Sequence, residues 1–209
     1  MFGQVFVVVP VAMGLVVRGC GWMFEELKRR AMQRLEVEGI DEDEKLRRVV
    51  KALNQNPNYF TTSSCAGRIA LIEVPGVGDK EHARFVAKWH RRVGEEEFFD
   101  AVKGWRGELW LTVQCPIIHV SCRDLGSALH LLGVAKECGF KRSGIISVTE
   151  KRVNLEIVST ERADVPMGVD GVLLCDKEYL RFLLDRFNEL LSRSKEKMGK
   201  LCEKLTSET

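Results

Sequence analysis

Thr61-Thr62-Ser63-Ser64-Cys65 sets five small hydroxyl- or thiol-bearing side chains in a row, and Ala66-Gly67-Arg68 joins them to the apolar run Ile69–Val74. Each hydroxyl removed from water needs a partner or costs on the order of 1–3 kcal/mol. A polar strand start that turns through a glycine into a buried strand is therefore an exposed turn or the wall of a site. The second is expected here.

The chain on either side reads as helices, a hairpin, and then strands mixed with helices. Phe24, Leu27, Ala31 and Leu35 recur at helical spacing up to Gly39, with Lys28, Arg29, Arg30 and Arg34 on faces expected to be solvated. The acidic run Asp41–Glu44 introduces a second helix with the stripe Leu46, Val49, Val50 and Leu53. Asn54–Asn58 breaks it. Ile69–Val74 and Ala83–Trp89 form a predicted hairpin about Pro75–Asp79, whose Gly76 and Gly78 lack the third glycine of a nucleotide loop. Glu95–Trp105 is a predicted helix with Phe98, Phe99 and Val102 inward. Strands are expected at Glu108–Val113 and Ile117–Ser121, separated by Cys115-Pro116. Asp124 caps a helix over Leu125–Cys138, with Ala128, Leu129, Leu132 and Ala135 as its apolar residues and Gly139 as its stop. A hairpin of Ile145–Val148 and Val153–Val158 follows, then an irregular segment. From Lys177 a long amphipathic helix carries Leu180, Leu183, Leu184, Phe187, Leu190, Leu191, Met198 and Leu201.

This order has no repeated strand–helix–strand alternation and no linker rich in Pro, Gly or Ser. It predicts one α+β domain over residues 23–209, a mixed or antiparallel sheet with helices packed on it, and not a doubly wound Rossmann fold. Phe2–Val17 is almost wholly apolar. That is shorter than the roughly 20 residues of a membrane span and lacks a basic leader. Residues 1–22 are expected to be a non-native extension from an upstream start, before Met23. No membrane partner is expected. Seven scattered cysteines without a CxxC pair predict reduced thiols and a cytoplasmic protein.

Several ordered motifs carry a family resemblance. Phe60–Ile69 resembles the signature of the wybutosine-synthesising tRNA methyltransferases. Asp41-Glu42-Asp43 before Leu53-Asn54, His119-Val120-Ser121-Cys122-Arg123, Gly139-Phe140-Lys141-Arg142-Ser143-Gly144-Ile145, Ser159-Thr160 with Val165-Pro166, and Glu178–Leu184 resemble further elements of that family in the same order. The resemblance covers about Phe24 to Asn188. It implies S-adenosylmethionine as cofactor and methyl transfer to the N-4 nitrogen of a wyosine-type base beside the anticodon of phenylalanine tRNA. It also implies a donor site other than the glycine-rich Rossmann loop. The alternative is a non-catalytic tRNA-binding protein of the same pathway.

Within that family, His119 is the expected general base, because its residue type titrates nearest neutrality. Ser63 and Ser64 are expected at the catalytic centre, and with Thr62, Gly67 and Arg68 to bind the donor. Gly67 would allow close backbone approach, and Arg68 would grip a carboxylate or phosphate. Thr61 reads as a strand-entry residue, and Cys65 as a packed thiol. Arg123, Lys141, Arg142, Ser143, Arg152 and Thr160 are the expected substrate contacts, in part through phosphates at strand ends and turns. Because the net charge is only +2, the RNA footprint must be a local patch. Trp89, Trp105 and Trp110 are candidates to stack on a base, although strand positions favour the core for Trp89 and Trp110. Cys115, His119 and Cys122 have a zinc-like spacing, but strand alternation divides them and a fourth ligand is lacking, so no metal is expected.

Overall fold

A computed structural model describes residues 21–40, 43–76, 79 and 81–207. The run Phe2–Val17, the acidic pair Asp41-Glu42 and the Val77-Gly78 part of the predicted turn lie outside the described residues. Helices α1 (Gly21–Glu38) and α2 (Glu44–Gln55) precede strands β1 (Tyr59–Cys65), β2 (Arg68–Val74) and β3 (Arg84–Trp89). A short helix α3 (Glu95–Ala101) leads to β4 (Glu108–Gln114) and β5 (Ile117–Cys122), and then to α4 (Leu125–Glu137). Strands β6 (Gly144–Val148), β7 (Val153–Val158), β8 (Ala163–Val169) and β9 (Val172–Leu173) follow, and α5 (Lys177–Ser207) ends the chain.

The strands make two antiparallel sheets, ordered β1-β5-β7-β6 and β3-β2-β4-β8-β9. Three consecutive strand pairs, β1/β2, β4/β5 and β7/β8, pass from one sheet to the other. The first crossing is Ala66-Gly67 and the second is Cys115-Pro116, and the two touch. Gly67 has φ +81°, and a Cβ on it would lie 2.8 Å from the Gln114 carbonyl oxygen and 2.9 Å from the Pro116 nitrogen. A side chain here would meet both a disfavoured backbone conformation and rigid backbone atoms. The glycine of the polar stretch therefore joins the sheets. At the third crossing, the Ser159 carbonyl accepts from Cys115 Sγ at 3.4 Å, and the carboxylate of buried Glu161 accepts from Ser159 Oγ and Lys197 Nζ.

Each sheet has its own core. The first-sheet core holds Ile118, Val120, Leu155 and Ile157 against α2, α4 and the end of α5. Leu46, Val49, Val50 and Leu53 are all fully buried there, as their spacing predicts. Asp43 caps α2 by accepting from Leu46 N at 3.0 Å, and Asp124 caps α4 by accepting from Ser127 N at 2.7 Å. The second core packs Ile69, Leu71, Leu109, Leu111 and Val113 beneath Leu180–Leu191 of α5. At 31 residues, α5 runs about 46 Å at 1.5 Å per residue and serves both cores. Its buried Asn188 exchanges two hydrogen bonds with the backbone of Val93.

Several expectations change. The single sheet becomes two. α3 stops at Ala101, because Gly104 and Gly107 both take positive φ, and Trp105 turns into the second core instead of extending the helix. In α4 the buried positions are Ala128, Leu131, Val134 and Ala135, which leaves Leu129 exposed. Phe85 stands out of the second sheet, with the guanidinium of Arg68 5.0 Å and the ammonium of Lys88 5.7 Å from its ring centre. The predicted irregular segment is in fact β8 and β9. Pro166 hides β8 from a sequence reading, since a proline disfavours a central strand. It fits because it sits at a register shift opposite Trp110, and β9 covers only Gly168 and Val169.

Candidate functional site

The outer face of the first sheet carries a polar row across three strands. Ser63 pairs with His119 across β1 and β5, and His119 pairs with Glu156 across β5 and β7. Residues directly opposite in antiparallel strands share a face, so the three side chains meet. Ser63 Oγ is 2.7 Å from His119 Nδ1, and His119 Nε2 is 3.2 Å from Glu156 Oε1. A carboxylate only accepts, so Nε2 carries the ring proton, Nδ1 is left as acceptor, and the Ser63 hydroxyl donates to it. A second row lies beside the first, in which Ser121 Oγ donates to Asn154 Oδ1 and Asn154 Nδ2 donates to Ser147 Oγ, both at 2.8 Å.

A register shift between Thr61 and Ser63 gives β1 its unequal faces. Thr61 is buried and locked to α2, accepting from Asn54 Nδ2 at 3.0 Å while its N–H donates to Asn54 Oδ1 at 2.8 Å. Thr62 and Ser63 are exposed. Thr62 Oγ1 bonds the His119 carbonyl at 3.4 Å. The hydroxyl of Ser64 makes no hydrogen bond to the described residues, and so can donate outward. These hydroxyls floor a cleft of about 490 Å³ between β1 and α1, with Leu27, Ala31 and Leu35 as an apolar wall and Arg30, Arg34 and Arg152 at its sides. Ser63 is shared by the cleft and the His119–Glu156 pair. Phe24 of α1 packs on Phe60 with ring centres 5.2 Å apart and planes tilted by 56°.

The other predicted residues lie elsewhere. Gly67 is at the sheet crossing. Arg68 donates to Gln114 Oε1 at 3.1 Å and packs on Phe85, on the second sheet. Arg123 ties α1 down, pairing with Glu25, donating to the Pro57 carbonyl at 2.8 Å and lying 4.7 Å from the Phe24 ring centre. Lys141 and Arg142 are exposed on the turn before β6. Ser143 Oγ accepts from Val158 N at 3.1 Å, at the buried end of that turn. Thr160 is exposed at the third crossing, where its carbonyl accepts from Arg162 N at 2.8 Å. The structure therefore gathers Thr62, Ser63, Ser64, His119 and Arg152, and leaves the rest apart.

Local sequence reading misses Glu156, Arg30 and Arg34. The alternation of Val153, Leu155 and Ile157 against Asn154 and Glu156 would have placed Glu156 on a polar face, but only the strand register puts it beside His119. Cys122 faces the opposite side, into the core, and burial pushes its thiol up to about 12. Cys65 is half-buried, with its sulfur 4.0 Å from His90 Nδ1. Among the described residues, no three His, Cys, Asp or Glu side chains are grouped to hold a metal ion.

The family described as Methyltransferase TYW3 matches residues 23–207. A Pyrococcus furiosus protein named tRNA(Phe) 7-((3-amino-3-carboxypropyl)-4-demethylwyosine(37)-N(4))-methyltransferase 1 is 43% identical over 183 residues, 85% of this chain and 92% of that protein. A Thermococcus sibiricus protein, named as the same methyltransferase without the final number, is 46% identical over 154 residues, 73% of this chain and 78% of its own. Among solved structures, a Pyrococcus horikoshii protein superposes with TM-score 0.84 at 39% identity, over 89% of this chain and 97% of that one. A hypothetical protein from Aeropyrum pernix gives TM-score 0.69 at 29% identity, over 79% and 98%.

Proposed function

Since the chain belongs to the Methyltransferase TYW3 family, we propose that it methylates the N-4 nitrogen of a demethylwyosine-type base, 3′ of the anticodon in phenylalanine tRNA, with S-adenosylmethionine as donor. The observation that carries the site is the Ser63–His119–Glu156 row opening onto a hydroxyl-floored cleft. The cleft fits the donor on its own chemistry. Its volume lies within the roughly 300–1,000 Å³ usual for small-molecule sites. The apolar α1 wall suits an adenine ring, and the Thr62 and Ser64 hydroxyls suit its polar groups. Gly67 and Arg68, engaged at the crossing and on Phe85, are left out of the donor site.

When bound, the donor supplies an electrophilic methyl on a sulfonium. What the protein adds is alignment, with the acceptor nitrogen, methyl and sulfur in line, and this geometry supplies the larger part of the rate. A proton on the acceptor nitrogen passes to Ser63 Oγ as the Ser63 proton passes to His119 Nδ1, and the imidazolium so formed keeps its Nε2–H on Glu156. Glu156 is a positioning residue in this scheme. Glu156→Gln lets an amide N–H face Nε2, which shifts the ring proton to Nδ1 and removes the acceptor from Ser63. It is expected to lower kcat by about 10–100-fold, with the KM for tRNA unchanged, and Glu156→Asp is expected to recover part of the loss. A Glu156→Gln enzyme with wild-type kcat would show that His119 needs no fixed tautomer.

The six described cysteines are free thiols, which supports a cytoplasmic setting. Among the described residues, no helix is long and apolar enough to cross a membrane. The passage of α5 through both cores supports reading residues 23–209 as one domain. Calorimetric titration with S-adenosylmethionine tests the enzymatic reading. One saturable site is expected, and a protein that only holds tRNA would give no heat.

A further inference from the structure

The two guanidiniums that α1 turns toward the polar strand have no role in the chemistry above. Arg30 and Arg34 are one helical turn apart, and both line the cleft, as does Arg152 from the β6–β7 hairpin. Their side chains are far from saturated. Arg30 shares the single carboxylate of Glu26 with Arg29, and Arg34 meets Glu38 at 3.1 Å. Arg152 has no ion pair among the described residues. Glu38 is the sole carboxylate among the cleft-lining residues, against three guanidiniums. The donor assigned to this cleft is itself a sulfonium cation, so holding it does not account for such an excess of positive charge.

From this juxtaposition we propose that Arg30, Arg34 and Arg152 bind the phosphodiester groups flanking the target nucleotide, and so fix the tRNA strand across the mouth of the cleft. The inference rests on the methyltransferase reading, because a base delivered to Ser63 brings its own 5′ and 3′ phosphates to the rim of the same cleft. Guanidiniums and hydroxyls are the groups that position nucleic-acid backbones, and an unpaired loop presents its phosphates together with a splayed base. α1 contributes in two ways: its apolar residues wall the donor space, and its arginines hold the strand.

The test compares wild type with Arg30→Gln/Arg34→Gln/Arg152→Gln and with a control, Arg29→Gln/Arg48→Gln, whose side chains do not line the cleft. Binding of phenylalanine tRNA is measured across a salt series, and S-adenosylmethionine binding is measured by calorimetry. For a single strand each phosphate contact contributes about 0.7 to the log–log salt slope, so loss of three contacts should flatten the slope by roughly 2 and weaken low-salt affinity at least about tenfold. The KM for tRNA should rise, while kcat at saturating tRNA and donor affinity stay at wild-type values. The control should leave the salt slope unchanged. An unchanged slope in the triple variant overturns the proposal, and so does a loss of donor affinity with tRNA binding intact, which would assign the arginines to the donor carboxylate. If wild type itself neither binds nor methylates tRNA, it is the methyltransferase reading that fails.

Discussion

His119→Ala is expected to lower kcat for methyl transfer by about 10²–10⁴-fold, the usual contribution of a positioned general base. S-adenosylmethionine binding should remain, since the imidazole faces Ser63 and Glu156 and does not line the donor cleft. Ser63→Ala should give a similar loss, and the double variant should be little worse than either single one, because groups that pass one proton act as a unit. Additive losses would mean that Ser63 and His119 act separately. A His119→Ala enzyme within about threefold of wild type would leave alignment as the whole of the catalysis and His119 as a strand residue bonded for structure.

Lys197→Met is expected to have the largest effect on stability. Glu161 is 7% exposed, and burial opposes its ionisation, yet Lys197 and then Ser159 hold its carboxyl below the usual range. Removing one partner of a buried pair costs about 3–5 kcal/mol, and the partial exposure of Lys197 places this case at the lower end. The pH dependence has a definite sign. In wild type the depressed carboxyl adds stability that is present above its unfolded pKa and is lost as the pH falls through its folded value. In Lys197→Met only the Ser159 hydroxyl still opposes burial, so ionised Glu161 is less favoured than in wild type, and the variant's deficit is largest at neutral pH and shrinks toward pH 4. Urea midpoints across that range check it. A pH-independent deficit, or one under about 1 kcal/mol, would mean that the pair is not what secures the third crossing. Lys197→Met/Glu161→Gln should recover much of the loss, because no buried charge is stranded.

Much of the local architecture is legible from the chain. The α2 stripe, the Asp43 and Asp124 caps, the glycine stops after α1 and α4, and the long α5 all follow from spacing and cap chemistry within a few residues. The two-sheet arrangement is not, because it depends on pairings such as β1 with β5 and β4 with β8, which lie far apart in sequence and leave no local trace. β8 is concealed by Pro166. Leu129 is misplaced because α4 is apolar on several sides, and only its packing decides the phase. In the site, the hydroxyl run and His119 are readable as candidates, and a 2.7 Å contact between residues 56 apart joins them. Glu156, Arg30 and Arg34 look like ordinary solvated charges, and only the register sets Glu156 beside His119 and only the helix orientation sets the two exposed arginines along the cleft. Gly67 shows the opposite error. Its missing side chain suggests room for a ligand, and the space is taken by Gln114 and Pro116.

The most direct measurement is transfer of labelled methyl from S-adenosylmethionine to phenylalanine tRNA that carries a demethylwyosine-type base, taken from cells lacking this protein. Wild type is predicted to incorporate label only when that base is present, and His119→Ala to incorporate it at least about a hundredfold more slowly. No incorporation into correctly modified tRNA would contradict the enzymatic account, and equal rates for wild type and His119→Ala would contradict the site.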